Sequence, residues 1–254
     1  MATRKKKKIF RKVLMFFIVF AGMGLAAWWW YRLHATNFVT YPEFGIAVPA
    51  NYAIHGIDVS HHQENINWDL VKNMQVQNIK IGFVFIKATE GIGRVDSHFN
   101  QNWFRSKDAG MCRGAYHFFL ATKSGKLQAQ NFIDVVTLKP GDLPPVLDVE
   151  QTYGVPVDKL RKEVKAFLQT TEQYYGVKPI IYTNVDFYKN NLGSEFDKYP
   201  LWVAHYYEEQ QPRITRDWAF WQHNDQGNIN GITSKVDFNV FKGDSVQLKE
   251  MQVR

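Results

Sequence analysis

Eight short apolar runs recur through the chain, at 55–60, 81–89, 112–119, 145–150, 179–184, 201–206, 218–224 and 234–241. Between the first five lie stretches of helical periodicity. Asn67 is placed to cap a helix carrying Leu70, Val71 and Met74, and a second helix covers about 97–110, ending at Gly110. A third runs from about Ser124 to Leu138, stopped by Pro140-Gly141. The fourth opens with Pro156, sets Leu160, Val164, Phe167, Leu168 and Thr171 on one face, and closes at Gly176 and Pro179. Strand–helix alternation of this kind predicts a parallel sheet with right-handed crossovers. Eight strands in about 200 residues fit a closed barrel. The last three runs leave no room for full helices between them. The expected fold is therefore α/β, an irregular (β/α)8-like barrel with reduced helices in the last three units. An open doubly wound sheet is the alternative, but no Gly-rich phosphate turn follows the first strand.

Charge is distributed unevenly. Of 31 basic residues, eight (Arg4, Lys5, Lys6, Lys7, Lys8, Arg11, Lys12 and Arg32) fall within residues 1–32, which contain no acid. The remaining 23 basic residues face 24 acidic ones, so the body is near neutral and carries no phosphate-binding stripe. No nucleic-acid partner is expected. Residues 13–31 form an uncharged, mostly apolar run of the length a spanning helix needs. The basic residues before it favour the cytoplasm, and Trp28, Trp29, Trp30 and Tyr31 suit the opposite interface. The expected organisation is a basic cytoplasmic tail at 1–12, a transmembrane signal-anchor at 13–31, a linker at 32–53 and a barrel at 54–254. A cleaved signal peptide, with Gly24-Leu25-Ala26 as a poor site, is the rival reading. Both put the body on the periplasmic or extracellular face. The single cysteine, Cys112, permits no intrachain disulfide and reads as a small core residue.

The runs turn polar toward their C-terminal ends. They carry Asp58-Val59-Ser60, Thr89-Glu90, Tyr116-His117, Asp148-Val149-Glu150, Tyr182-Thr183-Asn184, His205-Tyr206, Gln222-His223 and Asp237-Phe238-Asn239. Barrels of this class build their active sites at the C-terminal face. Asp58, Asp148, Glu150 and Asp237 are thereby expected around one mouth. The period of two sends Val146, Asp148 and Glu150 to one face of their strand. Repulsion between two such acids should hold a proton on one of them near neutral pH. A carboxylic acid beside a carboxylate is what glycoside cleavage requires.

These residues resemble glycoside hydrolase family 25, the lysozymes of the Chalaropsis type. The matching fragments are Gly56-Ile57-Asp58-Val59-Ser60, Phe85-Ile86-Lys87-Ala88-Thr89-Glu90-Gly91, Gly114-Ala115-Tyr116-His117-Phe118 and Leu147-Asp148-Val149-Glu150. Further along come Ile181-Tyr182-Thr183-Asn184, Leu201-Trp202-Val203-Ala204-His205-Tyr206, Trp221-Gln222 and Val236-Asp237-Phe238-Asn239. The resemblance implies hydrolysis of the β-1,4 bond between N-acetylmuramic acid and N-acetylglucosamine in peptidoglycan strands. By motif position Glu150 resembles the general acid, which implies that it holds that proton, and Asp148 the acid that steers the substrate N-acetyl group or the transition-state charge. Asp58 and Asp237 resemble flanking aspartates. Tyr116, Tyr182, Trp202, Tyr206 and Gln222 fall where the family binds sugar, with Glu90 as a further substrate contact or a loop-shaping residue.

Blander roles compete for several positions. His61-His62 has no metal-ligand spacing, so neither metal nor cofactor is expected. His117 reads as a hydrogen-bonded core histidine, and one of Trp202 and Trp221 as a plain core aromatic. A catalytically silent, membrane-tethered glycan-binding module is the alternative function. The chain is expected to be monomeric.

Overall fold

The computed structural model describes residues 2–34 and 37–254, in two units, Met1–Asn37 and Phe38–Arg254. Met1 and two residues of the expected linker, Ala35 and Thr36, lie outside the described residues. The first unit is one helix, α1 (Ala2–His34). Its stretch Lys12–Trp30 is long and apolar enough to cross a membrane, about 28 Å at 1.5 Å per residue. Phe16, Phe17 and Phe20 along it are exposed.

The second unit begins earlier than the sequence suggests. Where a linker is expected, β1 (Phe38–Tyr41) and β2 (Ile46–Pro49) pair as an antiparallel hairpin. Tyr41, Phe44, Ile46 and Val48 from this segment are buried in the same core as the barrel, and Gly45 turns the chain at φ 67°. The segment is too short to show a period, which hid it.

Eight strands follow, β3 (Ile54–Val59), β4 (Ile79–Glu90), β5 (Cys112–Phe118), β6 (Val146–Asp148), β7 (Ile180–Asn184), β8 (Leu201–Ala204), β9 (Phe220–Gly227) and β10 (Val236–Phe241). Each overlaps one of the eight apolar runs. They close into a barrel, because β3 pairs with both β4 and β10. The helices α2 (Trp68–Asn73), α3 (Phe99–Asp108), α4 (Gly125–Val135) and α5 (Val157–Tyr175) lie between the first five strands. Asn67 and Ser124 cap α2 and α4, and Gly176 ends α5 in the left-handed region. Beyond β7 there are only short helical turns before β8 and no helix before β9. A C-terminal helix, α6 (Ser245–Met251), opens on an Asp244–Gln247 capping box that the sequence reading passed over.

One strand departs from the expected parallel order. β10 runs antiparallel to both β9 and β3. Residues 228–235 are all that separate β9 from β10, and a parallel return needs a crossover of about a dozen residues or more. The barrel interior is filled by Phe83, Phe85, Val146, Ile180, Trp202 and Phe220. Gly56 and Gly114 make room for two of these rings. A Cβ at Gly56 would stand 2.4 Å from the Phe83 ring, and one at Gly114 2.6 Å from Phe85. The packed interior forms a floor beneath the polar mouth.

Candidate active site

The reversed strand decides where Asp237 lies. It is at the start of β10, yet antiparallel register sets it directly beside Asp58 at the end of β3, and Asn239 beside Gly56. The two aspartates share a hydrogen bond. Asp58 Oδ2 also accepts from Gln222 Nε2 at 2.8 Å and Asn239 Nδ2 at 2.7 Å. Burial pushes Asp58 up to about 6, against the downward pull of the bonds from Asn239, Gln222 and Asp237. Burial, the Asp58 charge and the hydrogen bond to Asp58 push Asp237 up to about 9. In this pair Asp237 holds the proton and Asp58 accepts it.

Asp148 ends β6 beneath Phe119, whose N–H bonds the Asp148 carbonyl at 2.8 Å. The strand stops there, so Glu150 lies just past it rather than on the expected strand face. The two carboxyls nevertheless hydrogen-bond each other. Burial lifts Asp148 well above the carboxylate range, reinforced by the Glu150 charge and by Asp148 donating the shared hydrogen bond. Burial also lifts Glu150, while accepting that bond lowers it. At rest the proton therefore sits on Asp148, not on Glu150 as expected. The reason is depth, for Asp148 is 6% exposed and Glu150 only half-buried. Asp148 Oδ1 is buried with no hydrogen-bond partner among the described residues.

The expected sugar-binding residues divide into two groups. Gln222, 2% exposed, accepts from the phenols of Tyr182 and Tyr206, each at 2.6 Å, while donating to Asp58. Trp202, also 2% exposed, stacks on Phe85 with centroids 4.4 Å apart and donates from Nε1 to Asn239 Oδ1 at 2.7 Å. These two are the floor and the frame of the mouth, with their polar atoms already engaged. Tyr116 is half-buried, and Tyr206, at 38% exposure, opens to solvent. Tyr182 is buried, and burial and the nearby carboxylates raise its phenol and that of Tyr116.

Glu90 stands apart from the four acids, clamped at the rim by Lys87 at 2.8 Å and Arg94 at 2.9 Å. Those bonds offset its partial burial and lower its pKa. Gly91 beyond it turns the chain at φ 55°. His117 faces outward, between Thr89 Oγ1 at 2.7 Å and Gln128 Oε1 at 3.2 Å, and burial lowers it to about 3. Trp221 packs outside the barrel on Phe38 and Trp218. His61 Nδ1 is held 2.7 Å from Asp96 Oδ2, and among the described residues no three ligating side chains converge on a metal position. Cys112 is half-buried and accepts from Gln252 Nε2 at 3.2 Å.

Two residues of the site were not singled out from the sequence. Asn239 follows Asp237 by two and so shares its face, the same rule that joined Asp148 to Glu150. Lys87 follows Phe83 and Phe85 at the same spacing, and a lysine at an inward position of an apolar strand was the available signal.

The family model described as "Glycosyl hydrolases family 25" matches residues 57–232. The uncharacterized Escherichia coli protein YegX is 44% identical over 217 residues, spanning 85% of this chain and 80% of YegX. Lysozyme M1 of Streptomyces globisporus is 33% identical over 210 residues, 77% of this chain and 70% of its own. Among solved structures, a family 25 glycosyl hydrolase from Bacillus anthracis superposes with a TM-score of 0.73 at 30% identity, covering 86% of this chain and 98% of that one.

Proposed function

The chain belongs to glycosyl hydrolase family 25 and is a glycoside hydrolase, and from that premise we propose that it cuts peptidoglycan at the β-1,4 bond following N-acetylmuramic acid, with Glu150 as the general acid. The observation that carries this reading is the hydrogen-bonded Asp148–Glu150 pair at the barrel mouth. Moving the shared proton from Asp148 to Glu150 does two things at once. It loads the more exposed member, which can protonate the departing glycosidic oxygen. It also leaves Asp148 anionic, facing the positive charge that develops at the anomeric carbon. Asp148 Oδ1, lacking a protein partner, is the acceptor left for an acetamido N–H of the substrate. Asp58 and Asp237, tied together, complete the opposite wall and stay one proton short of full charge.

Glu150→Gln tests the assignment. The variant keeps the shape of the pair but cannot protonate the leaving oxygen, and kcat for release of muramic-acid reducing ends should fall by about 10²–10⁴-fold. Wild-type turnover in a correctly folded Glu150→Gln protein would remove Glu150 from the role. Saturable glycan binding without product in the wild type would favour the tethered binding module instead.

Activity on peptidoglycan places the barrel outside the cytoplasm, and α1 serves in this reading as an anchor for it. The length of the apolar run, and the bulky Trp28, Trp29 and Trp30 just beyond the poor Gly24-Leu25-Ala26 site, support retention over cleavage.

A further inference from the structure

Strand β4 reads Phe83-Val84-Phe85-Ile86-Lys87, and the alternation that turns both phenylalanines into the barrel turns Lys87 the same way. The Lys87 side chain is 15% exposed. An ammonium at such depth is costly unless opposite charge offsets it. Its Nζ lies 2.8 Å from Glu90 Oε2 and 4.7 Å from the centroid of the Phe118 ring. Phe118 pairs in the sheet with Glu90 on one side and Asp148 on the other. The ammonium therefore stands over the residue that separates two carboxyls, and its charge bears on both. Arg94 takes the other oxygen of Glu90, so Glu90 does not depend on Lys87 alone.

The groups around the Asp148–Glu150 pair otherwise drive it toward full protonation. Asp58 from β3 brings a further carboxylate whose charge raises Asp148, Asp237 from β10 holds its own proton, and Glu90 lies on the other side of Lys87. The phenols of Tyr116, Tyr182 and Tyr206, and of Tyr153 in the loop after Glu150, are raised and stay neutral. A doubly protonated pair has a donor but no anion, and a fully ionised pair has an anion but no donor. Only the singly protonated pair can do both tasks assigned to it above, and this inference rests on that assignment.

We propose that Lys87 is a positioning residue that sets the charge of the Asp148–Glu150 pair, holding it at one shared proton and one negative charge. Full-length protein in detergent micelles, with Asp and Glu labelled at the side-chain carboxyl carbon, allows the pair to be titrated by NMR, beside the pH profile of kcat/KM on a defined muramyl glycan. Lys87→Met should move the first deprotonation of the pair to higher pH by about one unit, and the acidic limb of kcat/KM with it. Lys87→Arg should restore both. Glu90→Gln, which removes an anion from the other side of the ammonium, should move the same midpoint to lower pH. A folded Lys87→Met protein with an unmoved midpoint overturns the proposal, as does failure of arginine to restore it. If Lys87→Met does not fold, the Glu90→Gln midpoint decides, and no downward shift overturns the proposal. A wild type that titrates as described but releases no product would count against the hydrolytic assignment and leave the electrostatic role of Lys87 standing.

Discussion

Neutralising Asp237 isolates what one carboxyl contributes to the stability of the mouth. Its folded pKa, about 9, lies above the ordinary value of 3.8, so the folded state binds its proton more tightly than the unfolded state. Stability from that preference is complete below about pH 4 and is lost as pH rises toward 9. Asp237→Asn keeps the shape and removes the titration. Relative to wild type it should gain stability as pH rises from 5 to 8, by about 1 kcal/mol or more across that range, read from urea unfolding midpoints at each pH. The buried histidines His55, His117 and His223 titrate low, at about 4, 3 and 3, so their folded forms stay neutral throughout. A flat difference would mean that Asp237 ionises normally. At this scale the acids were legible because strand alternation is a local rule. The seat of the proton was not, because it depends on relative burial, which no single strand determines.

The element scale is governed by how closely backbones approach. Gly125 opens α4 against α5, where an added Cβ would stand 1.8 Å from the carbonyl oxygen of Glu163. Backbone cannot yield as a side-chain tip can. Gly125→Ala should therefore cost about 1–3 kcal/mol or more, seen as a lowered melting temperature. Gly93→Ala meets nothing within 4 Å and serves as the control, with an expected change within about 0.5 kcal/mol. Equal effects from the two would separate the cost from the contact. The amphipathic helix α5 was readable almost to its ends, because Pro156 and Gly176 act locally. The direction of β10 was not read, since the apolar run 234–241 is compatible with either sense and only the short connection from β9 disfavours the parallel one.

At the scale of the whole molecule, the hairpin at 38–49 belongs to the barrel unit. A chain beginning at Asn37 retains Tyr41, Phe44 and Val48 in the core, whereas one beginning at Ile54 loses all three. Burial of each such side chain contributes about 1.5–3 kcal/mol. The longer chain should melt cooperatively, and the shorter one should melt well below it or fail to fold. Equal melting temperatures would restore the linker reading.

Periodicity and spacing, acting between near neighbours, determined on their own that this chain alternates strand and helix, that its polar residues gather at strand ends, and that an apolar basic-flanked helix precedes them. Tertiary structure alone decided which strand runs backwards, that Asp237 meets Asp58, that Gln222 and Trp202 are consumed in holding the mouth together, and that the Lys87 charge bears on Asp148 across Phe118. Those outcomes depend on closure of the barrel, which joins residues as far apart as Asp58 and Asn239, and the energy of a buried charge is set by neighbours that only closure supplies.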